Sequence, residues 1–240
     1  MFKKKKLAVF LVVCFFLVPC LCLLGFVVYQ GESLDNHKNP SDLFVELKDL
    51  YVQKKYEEAR LKMEPALSQI ISLEEGCDLV VSVYAELKAY IPLESCSQKC
   101  FSKKNHSGAA YEGYALASFQ LNKGDTGIKI LEEELNKGYN DRLLVALAQF
   151  SFLLKDDLRA KNYFLEVIKK SDIWSAWILR VLQYQRLFSD KVFVEKLSLL
   201  VSSKDRAPKK AVDLLLAHAK LHKLETCVEA LTKCMKTKVS

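Results

Sequence analysis

Residues 52–67 read VQKKYEEARLKMEPAL, and residues 152–168 read FLLKDDLRAKNYFLEVI. Each couples a short charged turn to a run in which small or apolar residues recur at spacings of four and three. In the first these are Ala59, Met63 and Ala66; in the second, Ala160, Phe164 and Val167. Such spacings put side chains on one face of an α-helix. The pattern returns near the end of the chain, in LETCVEALTKCM, as Cys227, Leu231 and Cys234. Recurrence of one pattern along 240 residues makes an internal repeat the first question to settle.

These segments resemble the turn and second helix of a tetratricopeptide repeat. In that family a tyrosine opens helix B, a small residue follows, then an aromatic or large apolar residue, then another small one. Tyr56, Ala59, Met63 and Ala66 match in turn. With the small helix B position as a ruler, Ala59, Leu93, Gly127, Ala160, Val194 and Cys227 stand 34, 34, 33, 34 and 33 residues apart. The corresponding helix A positions are Leu47, Val81, Ala115, Ala148, Leu182 and Leu215, with Leu43, Cys77, Tyr111, Leu144, Ile178 and Ala211 four residues upstream.

The resemblance implies an all-α, right-handed superhelix of about six TPR-like helix pairs over residues 42–240. Its packing positions include Ala59, Met63, Ala66, Ala115, Gly127, Ala148, Ala160, Phe164, Leu215, Cys227 and Leu231. Each pair buries its faces only against its neighbours. The function the family implies is a non-enzymatic scaffold that holds a protein or peptide on its concave helix A surface. Helix A carries no Lys, Arg and Asn cluster matching the family's charged grooves, so no peptide-carboxylate clamp is expected.

Composition agrees with continuous helix stacking, since only three prolines and six glycines follow residue 41. A sandwich or barrel of this length would need many more turn residues. Gly76 and Gly138 follow apparent helix ends, as C-cap residues do. Leu93 and Val194 are large for their positions, so the second and fifth pairs are expected to pack less closely. The polar stretch PLESCSQKCFSKKNHSG, residues 92–108, reads as an irregular connector.

Ahead of the repeats, Leu7 to Tyr29 carries no charge and follows Lys3 to Lys6. As a helix it would span roughly 34 Å, enough for a bilayer core. By the positive-inside rule residues 1–6 form a cytoplasmic tip and residues 7–29 an anchor; residues 30–41 are a polar linker, and the repeat domain lies beyond the membrane. No A-x-A-like cleavage site follows, which favours an uncleaved single-pass anchor in a bacterial inner membrane over secretion after signal cleavage. The chain holds 36 basic and 29 acidic residues; without the four N-terminal lysines the balance is 32 against 29. That near-neutral remainder argues against a nucleic-acid partner.

No residue is assigned to catalysis, cofactor binding or metal binding. G-x-G-x-x-G, P-loop, G-x-S-x-G and H-E-x-x-H motifs are absent from the sequence. His218 and His222 share a helix face at a zinc-compatible spacing, with Cys227 beyond, but the intervening glutamate of a metalloprotease is missing. A membrane-bound metal-dependent enzyme at that pair is the competing class. Of the five cysteines outside the apolar run, Cys96 and Cys100 are nearest in sequence and are the candidate disulfide. Trp174, Trp177, Tyr184 and Phe188 enrich the fifth unit in aromatics; core packing accounts for them, and Trp174, Trp177 and Tyr184 are also the candidate lining of a partner groove.

Overall fold

A computed structural model describes residues 39–103 and 108–237. The expected anchor at 7–29 and the expected linker as far as residue 38 lie outside them. Among the described residues no helix is long and apolar enough to cross a membrane. The chain divides into two compact units, Met1–Glu46 and Leu47–Ser240, and the first contributes only residues 39–46 to the described part.

Twelve helical segments form six pairs, with no strand among the described residues. The first pair is α1 (Pro40–Val52) with α2 (Tyr56–Met63), which continues through a 3-10 turn, Glu64–Ala66, into α3 (Leu67–Ser72). The second is α4 (Gly76–Glu86) with α5 (Tyr90–Phe101), and the third α6 (Ala109–Gln120) with α7 (Gly124–Leu135). The fourth joins α8 (Asp141–Leu153) to α9 (Asp157–Lys170), and the fifth α10 (Trp174–Val181) to α11 (Lys191–Ser203). The sixth is α12 (Lys209–Leu221) with α13 (Glu225–Thr237). First helices stack on first helices, α4 on α6 and α6 on α8; second helices stack likewise, α9 on α11 and α11 on α13.

The residues on the 34-residue ruler are the ones this stacking buries. Ala59, Leu93, Ala160, Val194 and Leu215 are wholly inaccessible, and Cys227, Val81, Ala115 and Leu182 nearly so. Gly127 shows why the position is small: a Cβ there would stand 2.7 Å from the Phe150 ring and 2.8 Å from the Ser118 Cβ. Ala66 differs, being half-buried. Pro65 lacks an N–H and turns the chain into the 3-10 segment, which rotates Ala66 off the packed face.

Five of the six turns inside the pairs close in the same way. In the first, the Lys55 N–H bonds the Leu50 carbonyl at 2.9 Å and the Lys54 N–H the Tyr51 carbonyl at 2.9 Å. This double bond is the Schellman motif, and its C′ residue takes the left-handed conformation. Lys54, Lys88, Asn122, Lys155 and Lys223 occupy that place, with φ between 54° and 63°. The fifth pair is the exception: α10 stops at Val181, a 3-10 segment Gln185–Ser189 follows, and the Asp190 carboxylate accepts from the Val192 and Phe193 N–H groups to start α11.

Three expectations need correcting. Residues 90–101 are helical, not a connector: Leu93, Cys96, Ser97 and Cys100 at three and four spacings bury one face while the polar residues between them face out. Gly76 is not a C-cap. Glu75 takes the left-handed conformation, and Gly76 opens α4, where any Cβ would collide with the Ile70 carbonyl. Nor is Gly138 one, since no described glycine has positive φ; Asn136 caps α7.

Candidate functional site

The first helices of pairs two to four, with Tyr184 from the segment after α10, form the wall of a groove of about 380 Å³. Val81 and Ala85 from α4, Ala109, Gly113, Ala115 and Leu116 from α6, and Phe150 and Leu153 from α8 give it an apolar floor. The floor is smooth because its central residues are small. At Gly113 a Cβ would stand 2.5 Å from the Val81 Cγ1, so a side chain there would separate α4 from α6.

Polar groups cross the groove along one line. Arg180, on α10, donates to the Glu112 carboxylate of α6 at 2.8 Å, bridging two repeat units. With its carboxamide oxygen turned toward them, Gln149 of α8 accepts from Arg180 Nε at 2.6 Å and from the Tyr184 hydroxyl at 2.9 Å. Glu112 and Arg180 are each one-third exposed, so the pair is open to solvent and to a ligand. Burial raises the Tyr184 phenol, against the lowering influence of Arg180 and Gln149, and keeps it a neutral donor. An apolar floor with a few fixed donors and acceptors is the usual construction of a ligand-binding cleft.

Of the three aromatics expected to line a groove, the structure places only Tyr184 in it. Trp174 and Trp177 are 8% exposed and belong to the core. Trp177 Nε1 donates to Ser171 Oγ at 3.1 Å and toward Asp141 at 3.3 Å, and Lys204 sits over the Trp174 ring at 5.9 Å. Large flat rings at the start of a short helix fill the space between neighbouring pairs, which is why both turn inward. Ser82, Glu112, Leu116 and Gln149 were not singled out from the sequence. Ser82, Leu116 and Gln149 each lie one residue after a helix A packing position, so the same ruler shifted by one would have marked them.

The disulfide joins Cys77 to Cys100, not Cys96 to Cys100. Cys77 lies in the first turn of α4 and Cys100 in the last turn of α5, so the antiparallel pair brings them together with 5.9 Å between Cα atoms; Cys96 lies a turn earlier and is a buried free thiol. His222 Nε2 meets the Phe188 carbonyl at 2.9 Å, and the His218 ring packs on Phe188 at 4.9 Å. Burial, then the neighbouring His222, lower the His218 pKa. Among the described residues no group of three or more His, Cys, Asp or Glu side chains is placed to hold a metal ion.

The sequence matches no protein-family model and no curated protein. Among solved structures it is similar to PilW, described as a widely conserved type IV pilus biogenesis factor, at 14% identity and a TM-score of 0.47, covering 84% of this chain and 94% of that one.

Proposed function

We propose that the chain is a membrane-anchored, non-enzymatic scaffold of TPR-like helix pairs, whose first-helix groove holds an extended or helical segment of another protein. The observation that carries this reading is the groove itself: a continuous apolar floor across α4, α6 and α8, crossed by the Glu112, Arg180, Gln149 and Tyr184 line. The 23-residue apolar segment behind four lysines supports an anchor with the repeats outside the cytoplasm, and a disulfide is compatible with that compartment.

Leu116→Arg tests it, because the arginine stem would fill the floor while the helix surface tolerates the change. Full-length protein isolated from native membranes should bring down a defined partner, and the variant should lose it by tenfold or more, on the order expected when a central anchor pocket is blocked. Equal recovery of the same proteins with both would overturn the groove as the binding face.

A further inference from the structure

The edge of the molecule formed by the turns inside each pair carries a row of features that folding does not account for. The four most exposed large aliphatic residues described all lie on it: Val52 at 79%, Ile91 and Leu221 at 73%, and Leu158 at 71%. Val192, 55% exposed, continues the row. Ile91, Leu158 and Val192 hold the same place, two residues before the ruler position, in the second, fourth and fifth units; Glu57, Asp125 and Glu225 hold it in the others.

The edge is continuous. A Cβ on Gly124, in the third turn, would touch Leu154 of the fourth at 2.6 Å. Arg186, entering the fifth turn, donates to the Phe152 carbonyl at 2.8 Å and to Asp157 at 2.5 Å, both at the fourth. His222, at the sixth turn, reaches the Phe188 carbonyl of the fifth. Lys123, at the third, pairs with Glu94 on α5 at 2.5 Å.

Lysines sit between the aliphatic residues. Lys54, Lys88, Lys155, Lys191 and Lys223 are exposed, and none forms an ion pair among the described residues. Four of them hold the left-handed C′ position, where glycine is the usual residue and a side chain is disfavoured. Of the acidic groups at the same edge, Asp156 and Asp190 cap helices, Asp157 binds Arg186 and Glu57 binds Arg60, while Glu86, Asp125 and Glu225 are exposed without an ion pair among the described residues, so these five lysines outnumber the unpaired carboxylates. Lysines also occur on the opposite edge, for example Lys137 and Lys169, so charge alone does not select a face; the aliphatic row does.

We propose that this edge contacts an anionic phospholipid surface, the aliphatic tips entering the headgroup layer and the lysine stems reaching to the phosphates. A protein partner would favour an apolar centre ringed by polar residues. Here exposed aliphatic and cationic side chains stand side by side at the turns of every unit but the third, as suits an interface that is apolar below and negatively charged above.

Full-length protein would be reconstituted into vesicles of phosphatidylcholine alone, and of phosphatidylcholine with phosphatidylglycerol, and acetylated with a water-soluble reagent read lysine by lysine by mass spectrometry. In the anionic vesicles Lys88, Lys155, Lys191 and Lys223 should react about fivefold more slowly than in neutral ones, the factor matching one favourable lysine contact with an anionic surface. Lys137 and Lys169 should not change. Added salt should reverse the protection, and so should Ile91→Ser with Leu158→Ser, Val192→Ser and Leu221→Ser; these positions are exposed, and retained helical circular dichroism would confirm folding. Equal reactivity of the two edges in anionic vesicles would overturn the proposal, as would protection of the turn edge that appears only when other proteins are added.

Discussion

At the scale of single residues, the turns inside the pairs hold side chains where glycine would be easier. Lys155→Gly relieves the left-handed strain, which is worth roughly 1–2 kcal/mol, and restores part of that as extra unfolded-state freedom. A net gain of about 0.5–1 kcal/mol is expected, seen as a higher thermal midpoint of the full chain in detergent. Asp190 is the opposite case. Its hydrogen bond from Lys161 at 2.6 Å, together with those from the Phe193 and Val192 N–H groups, holds its carboxyl below the ordinary range despite some opposing desolvation. Because the folded pKa is depressed, the stabilisation is complete above the ordinary carboxylate value and is lost as the pH falls through the lowered one. Asp190→Ala should cost about 1–2 kcal/mol at neutral pH, and denaturant titrations of the two proteins should converge on acidification.

At the scale of elements, the second pair is closed by a covalent tie. The Cys77–Cys100 bond links residues 23 apart and pins the start of α4 to the end of α5. Cys77→Ser should lower stability by about 3 kcal/mol under oxidising conditions and make no difference after reduction of both proteins, measured by thermal unfolding with and without reductant. The sequence made this pair hard to read. Residues 92–108 are polar on average, yet Leu93, Cys96 and Cys100 keep one helix face apolar, and an average over the stretch hides that face. Nearest-neighbour spacing also suggested the wrong partner for Cys100, because antiparallel packing joins the far ends of two helices.

At the scale of the whole molecule, the 34-residue ruler was legible in advance because helix packing leaves a strict record: each ruler residue is small or apolar and each is buried. The groove was less legible. Apart from Val81 and Ala115, its lining comes from residues off the packing positions, where alanine, serine, leucine and glutamine serve equally well, so no residue type announces it. The aromatic residues that did attract notice, Trp174 and Trp177, are held by the core, and only Tyr184 reaches the groove. The irregular turn inside the fifth pair, where α10 gives way to a 3-10 segment, is what brings Tyr184 there, its ring centroid 4.9 Å from that of Phe152 and 5.1 Å from that of Phe164.

On this reading the first-helix groove is the face that holds a partner. A photoreactive amino acid placed at Leu116 or Leu153, in the groove, and separately at Leu61 or Leu199, on the second helices, tests it in native membranes. One adduct of the same defined mass is expected from both groove positions and none from the second-helix positions. Adducts only from Leu61 and Leu199, or the same adducts from all four, would contradict it.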